Sequence, residues 1–245
     1  MKKNIIFDIK ELDSNISINN GEIIAICGRP AIGKTALALT VIFNNLEQEK
    51  NSKCLLVSFD SGTNELTAKF DAFFMNNKPV FDDNYLPCSG IINWLFEEKL
   101  IINEEISTPT EQVSQQIKKL AKLNKIDFVI IDYLQLMLSS KQFLSRQEEL
   151  FEIVKVLKET AQETNLPIII TSQIPRLNTT ATPTTIFSNT NISSKIDKFI
   201  ILQNFNNESN TNNITPINVD IYNNQNVKIS TVIGFNNKTL KFINI

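Results

Sequence analysis

The chain reads Ile23-Ile24-Ala25-Ile26-Cys27-Gly28-Arg29-Pro30-Ala31-Ile32-Gly33-Lys34-Thr35 near its start. Its last eight residues match the pattern GxxxxGK[ST] at every fixed position, between an apolar strand and a helical pattern that runs from Ala36 to about Asn45. The backbone N–H groups of such a loop surround phosphate oxygens, and the following helix adds the positive end of its dipole. The stretch therefore predicts a site for a nucleoside triphosphate; the alternative is an incidental glycine-containing turn.

Individual residues of this loop have separate predicted roles. Gly33 lets the backbone approach the phosphates closely, Lys34 places a charge between the β- and γ-phosphates, and Thr35 offers a hydroxyl to Mg²⁺. A second carboxylate is expected at the end of a neighbouring strand, and Asp132 ends the apolar run Phe128–Ile131. We expect Asp132 to hold Mg²⁺ through water; the alternative is that Asp132 caps a helix or a turn.

Apolar runs alternate with helical patterns along most of the chain. Several are nearly continuous in Ile, Val, Leu and Phe, as in strands that are buried on both faces of a parallel sheet. The predicted strands are Glu22–Cys27, Lys53–Phe59, Leu100–Asn103, Asp127–Asp132, Pro167–Ser172 and Lys198–Gln203. The alternation predicts an α/β fold, a mostly parallel twisted sheet with helices on both faces.

Two helix starts carry capping signals. Thr108-Pro109-Thr110-Glu111 predicts Thr108 as N-cap with proline in the first helical position, and Ser145-Arg146-Gln147-Glu148 is a capping box. After the capping box, one helical face carries Leu150, Ile153, Val154, Leu157 and Ala161. This spacing predicts a long helix with its apolar face against the sheet.

Two regions depart from the alternation. Residues 174–195 are rich in Thr, Ser and Asn, and we expect a long mobile loop there. Beyond about residue 204 the chain is rich in Asn, and short apolar segments predict an antiparallel extension from Val219–Tyr222, Lys228–Ile233 and Leu240–Ile243. We expect one domain over 1–245, with a lead-in (1–20), a core (21–203) and these C-terminal strands (204–245).

Composition limits the function classes. The 245 residues are 42% hydrophobic and 20% charged, with a net charge of −2, so nucleic-acid binding needs a local patch or an assembly of chains. The chain has no histidine, which excludes an imidazole base, and its three cysteines (Cys27, Cys54, Cys88) lack metal-ligand spacing. No apolar run approaches the roughly 18 residues of a membrane span. We therefore expect a cytoplasmic protein with reduced cysteines and no membrane partner.

Four segments resemble bacterial replicative DNA helicases of the DnaB family, in order and spacing. Asp132-Tyr133-Leu134-Gln135-Leu136-Met137 is similar to that family's DYLQLM, and Arg29–Thr35 to its RPSMGKT; Arg146–Glu149 resembles its RQxE, and Leu166–Gln173 its NVPVIALSQ. The resemblance implies a RecA-like P-loop NTPase fold, ATP and Mg²⁺ as ligands, and ATP hydrolysis in DNA replication. It further implies a hexamer around single-stranded DNA, replication partner proteins, and Gln173 as sensor of the γ-phosphate; the alternative for Gln173 is a merely hydrogen-bonded side chain.

The chain also departs from that family. The glutamate that orients the attacking water is replaced by Asp60, which is one methylene shorter; the alternative is that Asp60 caps a helix or lies in a turn. The family's C-terminal KxRxG corresponds to Asn223–Val227, without its Lys and Arg. Lys228 lies close by and is a candidate substitute. The second DNA loop of the family corresponds to Thr185–Thr190 and has lost its Arg and Glu. The family's N-terminal domain is expected to be missing.

Three basic residues, Lys141, Arg146 and Arg176, are candidate contacts to nucleic-acid phosphates; the alternative is solvated surface charge. Two main functional hypotheses follow. The first is a DNA-stimulated ATPase of the replicative helicase type, and the second is a degenerate nucleotide-binding module that acts through a partner. A recombinase or helicase loader is a third, which the DYLQLM-like segment disfavours.

Overall fold

In a computed structural model of the chain, nine strands form one sheet in the order β3-β2-β4-β5-β1-β6-β7-β8-β9. The structure describes residues 4–47, 52–75, 99–105, 108–174, 181–187, 190–204, 213–223 and 227–245. The strands are β1 Ile23–Gly28, β2 Cys54–Ser58, β3 Leu100–Asn103, β4 Phe128–Asp132, β5 Ile168–Gln173, β6 Lys198–Asn204, β7 Ile214–Tyr222, β8 Lys228–Asn236 and β9 Lys241–Ile243. All nine predicted strands are confirmed, within a few residues at their ends except for the longer β7.

Seven described helices surround the sheet. They are α1 Lys10–Asp13, α2 Lys34–Glu47, α3 Thr63–Met75, α4 Thr110–Lys122, α5 Arg146–Thr164, α6 Pro183–Phe187 and α7 Thr190–Ser193, and a 3₁₀ turn spans Leu134–Leu136. Within the described residues, every helix is too short or too polar to cross a lipid bilayer.

Strand β1 is the central strand of the nine-stranded sheet. It pairs in parallel with β5 on one side and with β6 on the other, and β4 and β2 continue the parallel pairing beyond β5. All residues of β1, β2 and β4 are buried, as expected for strands covered on both faces. The carboxyl ends of these strands therefore meet along one edge, where the phosphate loop begins.

The two faces of the sheet carry two apolar cores. One core joins α1, α2 and α3 to the strands and includes Phe7, Leu39, Ile42, Phe70 and Phe242. The other joins α4, α5 and the short helices, and includes Val113, Ile153, Leu157, Ile192 and Phe199. The predicted apolar face of α5 is confirmed, since four of its residues are buried and Leu150 packs against the core.

The predicted N-cap at Thr108 is wrong. Helix α4 begins at Thr110, and its N-cap is Pro109, which provides no side-chain cap. The Thr108 hydroxyl donates instead to Glu105. The carbonyl of Leu138 accepts both the Thr110 N–H (2.8 Å) and the Thr110 hydroxyl (2.9 Å). A tertiary contact to Leu138 thus fixes the start of this helix in place of the local cap.

The prediction of one long loop over residues 174–195 is wrong in its second half, where Pro183–Phe187 and Thr190–Ser193 form α6 and α7. Residues 175–180, which include Arg176, and residues 188–189 lie outside the described residues. Ile186, Phe187 and Ile192 are buried in the core. Their apolar side chains stabilise helical turns in a stretch whose Thr and Asn content is typical of loops.

The C-terminal strands are antiparallel, as predicted. They are more than an edge hairpin, because β9 contacts the helix that follows the phosphate loop: the Phe242 N–H donates to the Thr40 hydroxyl (3.2 Å). The Phe242 side chain is buried. The division into lead-in, core and C-terminal strands as one domain stays a prediction.

Replacing Ser145 tests the cap of α5. The Ser145 hydroxyl accepts a hydrogen bond from the Glu148 N–H (3.2 Å), so Ser145→Ala should lower the free energy of unfolding by about 1 kcal/mol. Urea unfolding measures this value. Ser145→Asp keeps an acceptor at this position and should retain most of the stability. Equal losses in both variants would contradict a capping role.

Candidate functional site

The phosphate loop has a backbone shape that only some residues adopt. Ala31 and Gly33 have positive φ angles of 62° and 99°. A side chain on Gly33 would also meet the Phe242 ring, with its Cβ 3.1 Å away, and one on Gly28 would lie 2.5 Å from Ile32. The two glycines therefore give the loop its curvature and its close packing, as the sequence motif predicts.

Lys34 lies at the start of α2 and faces into the loop. Its side chain is mostly buried, and its ammonium donates to the carbonyl of Arg29 (2.9 Å). Burial lowers the pKa of Lys34, and the nearby carboxylate of Asp132 acts in the opposite direction. A phosphate group bound in the loop would pair with this ammonium and offset the cost of burying its charge.

Thr35 and Asp132 meet, although they are 97 residues apart in sequence. The Thr35 hydroxyl donates to one carboxylate oxygen of Asp132 (2.8 Å), and the Thr171 hydroxyl at the end of β5 donates to the other. Asp132 is 3% exposed. Burial raises its pKa, while the hydrogen bonds from Thr171 and Thr35 lower it. The hydroxyl and the carboxylate that the sequence assigned to Mg²⁺ thus lie side by side.

A cavity of about 410 Å³ opens beside these residues. Its polar side is formed by Lys34, Thr35, Asp60, Lys69, Asp132, Tyr133 and Gln173, and its apolar side includes Ala36, Leu39, Phe73, Phe235 and Leu240. Asp60 follows β2 and is exposed. The cavity therefore joins all four predicted catalytic residues to an apolar wall.

Lys69 is a cavity residue that the sequence analysis missed. It lies on α3, pairs with Glu65 one turn earlier, and its positive charge lowers the pKa of Asp132. The Glu–Lys spacing of four predicts an ion pair on the surface of a helix and gives no indication of the cavity. Phe235 and Leu240 gave no local signal, since only the folding of β8 and β9 onto α2 brings them to the cavity.

The two described candidate nucleic-acid residues, Lys141 and Arg146, do not line this cavity. Lys141 pairs with Glu152 (3.1 Å). The guanidinium of Arg146 donates to the carbonyls of Gln135 (2.9 Å) and Met137 (2.7 Å) and to Glu149. Arg146 therefore has a role inside the chain, whatever else it contacts. Arg176 lies outside the described residues.

Lys228, the candidate substitute for the lost basic residues, is paired within its own chain. Its ammonium lies 2.8 Å from Asp220 on β7, and the hydrogen bond to this carboxylate raises the pKa of Lys228. Residues 224–226 of the corresponding Asn223–Val227 segment lie outside the described residues. The positive charge of Lys228, at the start of β8, is thus already balanced by the carboxylate of Asp220.

Comparison with known proteins gives one consistent picture. The family described as "DnaB-like helicase C terminal domain" matches residues 5–244. The chain is 29% identical over 173 residues to the replicative DNA helicase DnaB of Helicobacter pylori, covering 68% of this chain and 36% of that protein. It is 28% identical to a probable plasmid replicative DNA helicase of Chlamydia muridarum, covering 95% and 53%. The chain thus spans about a third to a half of these relatives.

A solved structure agrees in fold. It is a DnaB-like replicative helicase, studied together with its interactions with primase, and its TM-score is 0.82 at 18% identity. The match covers 98% of this chain and 62% of that one. It confirms the predicted RecA-like architecture with its mostly parallel sheet.

Replacing Asp132 tests the electrostatics of the site without ligand. Its raised pKa means that the folded state disfavours the ionised carboxylate, so Asp132→Asn should increase the free energy of unfolding at pH 7. The gain should shrink as the pH falls through the raised pKa towards the ordinary value of 3.8, because the wild-type carboxyl then becomes neutral as well. Urea unfolding at several pH values measures it.

Glu159→Gln is the control for this substitution, since Glu159 is exposed on α5. Its free energy of unfolding should stay close to that of the wild type at each pH. An Asp132→Asn protein that is less stable than the wild type at pH 7 would contradict the prediction.

Proposed function

Because the chain belongs to the DnaB-like helicase C-terminal domain family, we propose that it is an ATP-hydrolysing helicase motor domain. It binds Mg²⁺–ATP in the cavity beside the phosphate loop and couples hydrolysis to movement on single-stranded DNA. The observation that carries this proposal is the Thr35–Asp132 hydrogen bond of 2.8 Å next to the buried Lys34. Hydroxyl and carboxylate oxygens are the ligands that Mg²⁺ prefers.

The loop residues bind the triphosphate. The backbone N–H groups of residues 28–35 surround the phosphates, except at Pro30, which has no N–H. The Lys34 ammonium leaves the Arg29 carbonyl and binds phosphate oxygens between the β- and γ-positions. Thr35 and Asp132 would hold Mg²⁺, Thr35 by its hydroxyl and Asp132 through water, and the ion would neutralise negative charge on the phosphates. The apolar wall of Phe73, Phe235 and Leu240 accommodates the base.

The other polar residues act on the γ-phosphate. Asp60 orients and deprotonates the attacking water, and Gln173 contacts the γ-phosphate. Lys69 supplies positive charge from the same chain, in a site where the family's neighbouring Lys and Arg have no counterpart at Asn223–Val227. A positive charge near the transferred phosphoryl group stabilises the transition state.

The partners follow from the family. We propose single-stranded DNA as the polymer, with Lys141, Arg146 and Arg176 as contacts to its phosphates. We also propose a homo-oligomer, with the hexamer as its form, and replication proteins as further partners. With a net charge of −2, this chain has no global positive field, so an assembly concentrates local positive charge around the strand.

ATP hydrolysis with and without single-stranded DNA is the first test. We expect turnover that DNA stimulates, and Lys34→Ala should abolish it, because the β- and γ-phosphates lose their cation. Lys125→Ala is the matched control, since Lys125 is exposed before β4, at the opposite end of the strands. Phosphate release by the three proteins measures the effect.

Two outcomes would contradict the motor. Turnover that persists in Lys34→Ala would place hydrolysis outside this site. ATP binding without any turnover, with or without DNA, would favour the second hypothesis, a nucleotide-binding module that acts through a partner.

Asp60 is tested by two substitutions. Asp60→Asn should lower kcat about a hundredfold, since a general base contributes at least this factor, and should change ATP affinity little. Asp60→Glu restores the longer carboxylate of the family and should match or exceed the wild-type kcat. Steady-state kinetics at saturating ATP measure both, and an Asp60→Asn variant with wild-type kcat would remove Asp60 from the mechanism.

A further inference from the structure

The end of β5 projects beyond its neighbour β4. The pairing of these two strands ends at Ile131↔Ile170, whereas on its other side β5 stays paired with β1 as far as Gly28↔Gln173. The backbone N–H and C=O of Gln173 on the β4 side therefore need partners other than a strand. Gln173 is also the residue whose side chain lines the nucleotide cavity.

The side chain of Gln135 supplies both partners. Its Oε1 accepts from the Gln173 N–H (3.1 Å), and its Nε2 donates to the Gln173 carbonyl (3.2 Å) and to the Ser172 hydroxyl (2.8 Å). The orientation of this amide follows from chemistry, because a backbone N–H only donates and a carbonyl only accepts. The amide thus takes the place of one residue of a neighbouring strand.

The backbone of Gln135 is itself fixed by neighbouring residues. It lies in the 3₁₀ turn after β4, between the buried Leu134 and Met137. The Arg146 guanidinium at the start of α5 donates to the carbonyl of Gln135 (2.9 Å) and to that of Met137 (2.7 Å). A continuous set of hydrogen bonds therefore connects the first residue of α5 to the end of β5.

We infer that Gln135 is a positioning residue that fixes Gln173 against the γ-phosphate and so lets the site distinguish ATP from ADP. The inference rests on the proposed function, because it assumes that the cavity binds ATP. It adds that the segment between Met137 and Arg146, where Leu144 is 97% exposed, is mechanically connected to the nucleotide through Gln135.

The test measures nucleotide affinity, so that it needs no turnover. We compare the dissociation constants of ADP and of a non-hydrolysable ATP analogue with an imido β–γ bridge, for the wild type and for Gln135→Met. This variant keeps the length of the side chain but loses all three of its hydrogen bonds. We expect the preference for the triphosphate to fall about fivefold or more, while ADP affinity stays unchanged. ADP binding depends on the phosphate loop, whereas the hydrogen bonds of Gln135 go to Ser172, Gln173 and Arg146.

Further variants separate positioning from general stability. Gln135→Glu keeps the acceptor for the Gln173 N–H but turns a carboxylate oxygen towards the Gln173 carbonyl. It should therefore lose the same preference at least as much as Gln135→Met. Gln173→Ala should lose the preference by itself, and adding Gln135→Met to it should cause no further loss, since both act through one side chain. Gln162→Met, an exposed glutamine on α5, is the matched control and should behave as the wild type.

Several outcomes would overturn the inference. One is that both Gln135 variants keep the wild-type preference for the triphosphate. The others are that the losses of this preference multiply in the double variant, or that the wild type binds the two nucleotides equally. Lys34→Ala identifies which proposal has failed. If Lys34→Ala abolishes binding and Gln135→Met resembles the wild type, only the inference fails. If Lys34→Ala binds both nucleotides normally, the proposed site itself is wrong.

Discussion

The parallel pairing of β1 between β5 and β6 is the constraint on which the site depends. Because β1, β4 and β5 run in the same direction, their carboxyl ends meet at one edge of the sheet. The phosphate loop, Asp132 and Gln173 each follow directly from one of these ends. Burial on both faces leaves these strands little freedom to shift, since a displaced strand would expose apolar side chains to water. The separation between Thr35 and Asp132 is therefore set by the sheet and not by flexible loops.

The buried polar groups of the site oppose folding in the absence of ligand. The ammonium of Lys34 and the carboxylate of Asp132 both lie in surroundings that disfavour their charged forms. A triphosphate with Mg²⁺ would add opposite charges to those that Asp132 and Lys69 already provide for these two groups. Functional sites commonly keep such unfavourable groups because they gain most when the ligand arrives.

Much of this architecture was predictable from the sequence. All nine strands carry a local pattern of apolar residues, and the loop motif together with the strand-ending Asp132 predicted the centre of the site. The errors arise where distant contacts override local signals. Leu138 decides the start of α4 in place of Thr108, and buried Ile186 and Phe187 stabilise helices in a segment whose composition is typical of a loop. Lys69, Phe235 and Leu240 reach the cavity only through tertiary packing, and the contact of Gln135 with Gln173 depends on where β4 stops pairing.

The contact between the phosphate loop and β9 has a consequence for biosynthesis. Phe242 lies against Gly33, and its backbone binds Thr40, which precedes it by 202 residues. A nascent chain that leaves the ribosome presents the loop early but lacks this packing partner until β9 has also emerged. Long-range contacts of this kind form late and slow folding. The packing around the phosphate loop is thus complete only after β9 has joined the sheet.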